Sequence, residues 1–145
     1  MTKYKTPRWG WAITGSGHFL KETLAIVREL EDVDLFLSKA AAEVLRMYKQ
    51  ELALPRSIRV YRDTTASSWP VGQFYYGVYH TLIVAPATSN AVAKFVCGIS
   101  DDLVSNVFNA RIWGGLHFRN SEVVGGLLAN EVVDYALTHD FQPLP

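Results

Sequence analysis

Arg8-Trp-Gly-Trp-Ala-Ile-Thr-Gly-Ser-Gly-His-Phe-Leu20 is the stretch that decides the fold class. Its first half, Arg8 to Gly15, reads as a short strand, and Thr14 to His18 as a glycine-rich turn. A helical pattern starts at once: Phe19, Leu20, Thr23, Leu24, Val27 and Leu30 recur at three- and four-residue steps. Lys21, Glu22, Arg28 and Glu29 fall on the opposite side. Strand, tight turn and amphipathic helix make a β-turn-α unit of the α/β kind.

The same alternation continues outward. Val33, Leu35 and Leu37 alternate with Phe36 between them, so Asp32 to Ser38 reads as a second strand. Ala41, Val44, Leu45, Tyr48 and Leu52 form a helical stripe that stops near Pro55. Ser57 to Tyr61 reads as a third strand. Residues 63–79 read as a long loop leading to a short aromatic element. The apolar run Thr81 to Ala85 suits a central parallel strand. Pro86 ends it, and Thr88, Ser89 and Asn90 are all good N-caps for a helix running to about Cys97. After Gly98, Asp101 and Asp102 suit the start of a helix carrying Leu103, Val104, Val107 and Phe108. Arg111 to Asn120, with Gly114-Gly115, reads as a loop. Ser121 then caps a last helix with Val124, Leu127, Leu128, Val132 and Tyr135 on one side. The expectation is an open parallel sheet flanked by helices, with ligands beyond the C-terminal ends of its strands.

Composition narrows the function classes. The 145 residues suit one domain. Lys+Arg 14 against Asp+Glu 14 leaves no basic excess, so nucleic acid is not an expected partner. A charged fraction of 19% and an aromatic fraction of 12% argue against disorder. One cysteine, Cys97, excludes a disulfide framework, and a buried structural thiol is its expected role. No apolar run approaches the roughly 18 residues of a membrane span. No secretory core follows the N-terminus. A soluble, cytoplasmic chain is expected.

Two loops look chemical. Gly15-Ser16-Gly17 lies between strand and helix, where glycine lets the backbone approach an anion and the helix start offers free N–H groups. It is too short for a dinucleotide fingerprint, so it suits one phosphate, and a plain tight turn weighs about equally. In Pro86 to Asn90 the Asn90 amide both donates and accepts, which suits a flavin-like ring edge; an N-cap cluster is the plain alternative. Lys94 is either a solvated charge or the partner of an anion. His18, beside the glycine turn, is the one histidine with a site role, and no histidine spacing suggests a metal. Trp69, Phe74, Tyr75, Tyr76 and Tyr79 suit a ring-stacking wall, a subunit interface or plain core.

Trp11 to Leu20, Phe36-Leu-Ser-Lys-Ala-Ala41, Pro86-Ala-Thr-Ser-Asn-Ala-Val-Ala-Lys94 and Gly98-Ile-Ser-Asp-Asp-Leu103 together resemble the flavoprotein family. That family holds the flavin-containing cysteine decarboxylases and the flavoproteins related to dihydromethanopterin reductase, and the last branch is the more similar. The resemblance covers residues 8–109. It implies a flavodoxin-like fold that binds FMN in a homo-oligomer built on trimers. Carried onto this chain, Gly15, Ser16 and Gly17 would hold the phosphate. Ser38 would approach the flavin, and Thr88, Ser89 and Asn90 would border its ring or ribityl chain. The aromatic segment would cover the flavin or meet a neighbouring subunit. The implied activity is electron transfer between a small-molecule donor and a pterin-like or other acceptor, with the redox chemistry supplied by the flavin.

Residues 110–145 depart from that pattern and suggest an atypical loop and helix packing on the same domain. Arg111-Ile-Trp-Gly-Gly-Leu-His117 resembles the last motif of the vanadium haloperoxidases and related acid phosphatases, which implies an oxyanion site at Arg111 and His117. The Lys–Arg-Pro signature of that family is absent, so a structural tail is the favoured reading. Without a further strand here the sheet would have four strands and an open edge. Three readings follow: an FMN oxidoreductase, a phosphate or vanadate enzyme, and a non-catalytic assembly subunit.

Overall fold

A computed structural model describes residues 8–64, 68–113 and 119–139. Four strands form one all-parallel sheet: β1 (Arg8–Ile13), β2 (Val33–Leu37), β3 (Val60–Arg62) and β4 (Tyr79–Val84), in the order β3-β2-β1-β4. The helices are α1 (Leu20–Glu29), α2 (Lys39–Met47), α3 (Ser68–Tyr75), α4 (Ser89–Cys97), α5 (Leu103–Trp113) and α6 (Arg119–His139). This is the flavodoxin-like α/β architecture anticipated from the alternation.

The period-2 geometry of the strands divides the core between two faces. Trp11, Ile13, Val33, Leu35 and Leu37 pack against Leu20, Leu24 and Val27 of α1 and Ala41 and Leu45 of α2. Ala12 and Phe36 point the other way, into Phe74 of α3, Phe95 of α4 and Leu103, Val104 and Val107 of α5. Burial on both faces explains why β2 reads as a nearly continuous apolar run. Gly10 makes room for the Phe74 ring: a Cβ there would stand 2.6 Å from Phe74 Cζ.

The structure departs from the sequence reading at several places. The α2 helix ends at Met47 instead of continuing toward Pro55, because Lys49 turns to φ 48, outside helical space. Leu52 still packs on the core from the following loop. A helix, α3, takes up Ser68–Tyr75 of the stretch 63–79 that was read as a long loop and a short element. Pro70 sits in its first turn, where a missing N–H costs nothing. The aromatic segment splits. Phe74 and Tyr79 are buried with Phe36, whereas Trp69, Tyr75 and Tyr76 are exposed. The α5 helix continues through Trp113, and α6 starts at Arg119 instead of after Ser121. Val124, Leu127, Leu128, Val132 and Tyr135 are exposed instead of lying on the sheet. Cys97 is exposed, not buried: it follows Phe95 by two residues, about 200° around α4, so it faces away from the core. β4, read as a central strand, is an edge. Leu82, Ile83 and Val84 are only half-buried, since no strand among the described residues pairs with its outer side.

At the N-terminal edge of the sheet lies a charge cluster that the periodicity did not reveal. Asp34, fully buried on β2, accepts hydrogen bonds from Arg8 Nη2 (2.9 Å), Arg59 Nη2 (2.6 Å), the Arg59 backbone N–H (3.0 Å) and the Tyr79 hydroxyl (2.7 Å). The cluster joins the starts of β1, β2 and β4 to the residue before β3. It lies at the end of the sheet opposite the two loops singled out above.

Candidate functional site at the C-terminal ends of the strands

The loop after β1 and the loop after β4 are held together by Thr14. Its backbone N–H and its hydroxyl both donate to the Pro86 carbonyl, at 3.1 and 2.9 Å. The same hydroxyl accepts from the Thr88 backbone N–H at 2.8 Å. Two further bonds extend the join: Ala85 N–H to the Ala12 carbonyl (3.0 Å) and Trp11 Nε1–H to the Ala85 carbonyl (2.8 Å). Thr14 is buried, so Thr14→Val would strip the Thr88 N–H of its acceptor at nearly constant volume. The expected cost is about 1–3 kcal/mol. Urea unfolding measures it, and faster amide exchange at Thr88 locates it.

A cavity of about 280 Å³ opens beside this join. Gly15 and Thr14 form one wall, and the starts of α2 (Ser38, Lys39, Ala40) and α4 (Thr88, Asn90) form two more. The two helix starts are built alike. Ser38 Oγ accepts from Ala41 N–H (3.0 Å) and Thr88 Oγ1 from Ala91 N–H (3.2 Å), so each side chain is an N-cap. Gly15 is needed for close packing: a Cβ there would stand 2.7 Å from the Ala40 Cβ. Without that approach the glycine turn and the α2 start would not share a cavity.

The far wall is acidic. Asp102 caps α5, accepting from Ser105 N–H at 2.8 Å. Lys94 Nζ donates to Asp101 Oδ1 and to Asp102 Oδ2, both at 2.7 Å. Lys94 is thus neither solvated nor free for an anion; the bonds to Asp101 and then Asp102 hold its ammonium above the ordinary lysine range. Burial pushes the Asp102 carboxyl up, but hydrogen bonds from Lys94 and Ser105 outweigh it and leave the group below its ordinary value. Asp63, just beyond β3, accepts from Leu103 N–H (3.3 Å). With Lys94 neutralised in this way, the cavity carries its positive potential at Lys39 and the helix starts, and its negative potential at the opposite wall.

Of the residues singled out from the sequence, Gly15, Ser38, Thr88 and Asn90 line this one cavity. Ser16 lines a second, more open cavity of about 690 Å³ with His18, on the other side of the Thr14–Pro86 join. Gly17 is in neither wall; a Cβ there would stand 2.8 Å from the Tyr48 hydroxyl. Ser89 is exposed on the first turn of α4. Lys39 and Asp63 were missed. The rule that parallel sheets bind ligands beyond their strand ends would have marked both, since one follows β2 and the other β3. The Arg111 side chain and His117 lie outside the described residues. Among the described residues no cluster of three His, Cys, Asp or Glu gathers for a metal, and no helix is long and apolar enough to cross a membrane.

Comparison with known proteins agrees with this architecture. A sequence model of the Flavoprotein family matches residues 1–116. The dihydromethanopterin reductase (acceptor) of Methanosarcina mazei is 38% identical over 121 residues, covering 74% of this chain and 51% of that protein. The enzyme of the same name from Methanocaldococcus jannaschii is 37% identical over 116 residues, covering 66% of this chain and 45% of that protein. Burkholderia xenovorans DmrB, a cubic protein cage for redox transfer solved in complex with FMN, is 48% identical with a TM-score of 0.62. The alignment to DmrB covers 72% of this chain and 58% of that one. The chain therefore spans about half the length of the curated relatives it matches.

Proposed function

Because the chain belongs to the Flavoprotein family, we propose that it binds FMN and works as an FMN-dependent oxidoreductase of the dihydromethanopterin reductase kind. The observation that carries the reading is the convergence of the glycine turn with two capped helix starts on one cavity. The first N–H groups of a helix have no partner within it, and they carry its positive end. Lys39, Ala40 and Asn90 bring those positions into the cavity wall, and Lys39 adds a full charge. This donor set fits a phosphomonoester. The Asn90 amide, which donates and accepts, fits a polyol or a heterocycle edge.

In this reading Gly15 and Ser38 stand at the phosphate, and Thr88 and Asn90 border the rest of the cofactor; Ser16, Gly17 and Ser89, which the family resemblance also implies, lie outside the wall of this cavity. The acidic wall formed by Asp63, Asp101 and Asp102 repels the phosphate and so sets which end of the cavity receives it. FMN supplies the electron transfer when bound; the chain holds it, orients it and admits the second reactant. The supporting relatives make a pterin-like acceptor the natural one, and the cubic cage formed by DmrB supports a homo-oligomer; a trimer-based assembly and a cytoplasmic location are part of the same proposal. Residues 1–109 carry the cofactor in this proposal, and residues 110–145 add a C-terminal segment to the same domain.

The test is the visible spectrum of the purified protein, followed by heat release and identification of the chromophore. About one FMN per chain is expected. A colourless protein that forms a defined oligomer but takes up no added FMN would overturn the reading in favour of an assembly subunit.

A further inference from the structure

The cavity assigned to the cofactor is acidic on balance. Asp63, Asp101 and Asp102 stand in its wall against Lys39 and Lys94, three carboxylates to two ammonium groups, a net charge of −1. A phosphomonoester carries about −1.5 to −2 at neutral pH, so it enters against that balance. The capped helix starts at Ser38 and Thr88 attract it, while the far wall repels it. Whatever holds down the charge of that wall therefore helps to select the ligand, along with the groups that would touch the phosphate.

One side chain does this. Lys94 leaves α4 one turn after Asn90, and both line the cavity. Its ammonium reaches past the turn at Gly98 and donates to Asp101 Oδ1 and Asp102 Oδ2, both at 2.7 Å. Two of the three carboxylates are engaged by the start of α5. Asp102 Oδ1 accepts from the Ser105 N–H (2.8 Å) and from the Ser105 hydroxyl (2.9 Å). Asp63 Oδ1 accepts from the Leu103 N–H (3.3 Å). They already satisfy the positive end of that helix. Asp101 differs: among the described residues its carboxylate is bonded to Lys94 alone, and its side chain is 59% exposed.

Nor does α4 need Lys94 to stay on α5. Phe95 stacks on Phe108 with ring centroids 4.2 Å apart and planes within 10°, and both join the core around Leu103, Val104 and Val107. A partly exposed ion pair adds little to helices packed in this way. The main effect of a full positive charge at this place falls on the cavity.

We propose that Lys94 is a specificity-determining residue: without touching the phosphate, it holds down the charge of the acidic wall and so lets the cavity take a phosphorylated ligand in preference to the unphosphorylated form. The proposal rests on the FMN reading for the ligand, and adds to it the residue that favours FMN over riboflavin.

Fluorescence titration with FMN and with riboflavin tests it, at low salt and at about 0.5 M salt, with inorganic phosphate titrated in parallel by calorimetry. Lys94→Met changes the net charge of the lining from −1 to −2. One unit charge acting on a phosphate through a partly hydrated cavity shifts Kd on the order of tenfold. Lys94→Met is therefore expected to weaken FMN and inorganic phosphate by about tenfold and riboflavin by less than about twofold, the gap narrowing in high salt. Lys94→Arg keeps the charge and should bind FMN within about threefold of wild type. Asp101→Asn should tighten FMN severalfold, and added to Lys94→Met it should bring FMN affinity back to within about threefold of wild type. A lysine that merely tied α4 to α5 would not be rescued by removing its partner. The proposal is overturned if Lys94→Met binds FMN as wild type does, if it loses FMN and riboflavin alike, or if Asp101→Asn fails to restore it. A wild type that binds neither flavin overturns the cofactor reading alone when inorganic phosphate still binds and weakens in Lys94→Met. A wild type that binds no phosphate either overturns both.

Discussion

Asp34→Ala is expected to lower the stability of the protein by about 3–5 kcal/mol, the range for removing one partner of a buried ion pair. The carboxylate is fully buried and receives Arg8, Arg59, a backbone N–H and the Tyr79 hydroxyl at once. Deleting it leaves two guanidinium groups facing each other and takes from the buried Tyr79 hydroxyl its bond to Asp34. At roughly 2–4 °C per kcal/mol for a chain of this size, the melting temperature should fall by about 6–20 °C. Asp34→Asn separates charge from packing, since it keeps the volume but cannot accept from every donor. The pH dependence follows from the same contacts. Burial pushes the Asp34 carboxyl up, but the hydrogen bonds from Arg59, Arg8 and Tyr79 outweigh it and hold the group below its ordinary value of 3.8. The unfolded chain therefore binds the proton first as pH falls. The stabilisation from Asp34 is complete above the ordinary carboxylate range and is lost as pH drops below 3.8 toward the depressed folded value. A urea-unfolding series across that range should show a shallower acid loss in Asp34→Asn than in wild type. Equal slopes would mean that Asp34 does not titrate differently in the two states.

Gly15→Val is expected to reduce FMN affinity by at least 100-fold, about 2.7 kcal/mol of binding free energy. A single Cβ at this position would stand 2.7 Å from the Ala40 Cβ, and both positions are in the cavity wall. The branched side chain must either push α2 away or displace the turn. Each separates the glycine turn from the α2 start that together make the site. The stability cost of such overpacking is about 1–3 kcal/mol, which a domain with the core described above can survive. Equilibrium dialysis against FMN measures the affinity, with circular dichroism as the check that the fold remains. FMN binding at wild-type strength would show that the turn and α2 need not share a cavity.

Much of this architecture was legible because it is local. Strand, turn and helix follow one another within short windows, so Arg8 to Leu30 could be read from periodicity alone. The helix starts at Thr88 and Asp102 were legible for the same reason, each cap being set by a residue three positions later, whereas the Ser38 cap, built the same way, was read only as the end of a strand. What escaped is what depends on distance. Asp34 interrupts an apolar strand, but Arg8, Arg59 and Tyr79 lie 26, 25 and 45 residues away, and only the sheet order brings them together. Lys94 finds its carboxylates across the turn at Gly98, so its pairing could not be told from a solvated charge. Cys97 was misplaced because its type suggested burial while its position on α4 did not. The α3 helix was hidden by Pro70 and Gly72, which punctuate most sequences as loops but here fall in the first turn and at a position with open space beside it.

The strand order has a consequence for how the chain is made. β1 is synthesised well before β4, yet the two pair side by side, Trp9 opposite Thr81 and Ala12 opposite Val84. At ribosomal speeds of roughly 5–20 residues per second, some 70 residues separate those partners by about 4–14 s. During that interval β1, β2 and β3 can pair, but Trp11 and Ala12 present one open strand edge to solvent, and Phe36 still lacks Phe74 and Tyr79. Nascent chains halted before residue 79 should accordingly be held by chaperones and digested quickly, whereas those extended past α5 should resist.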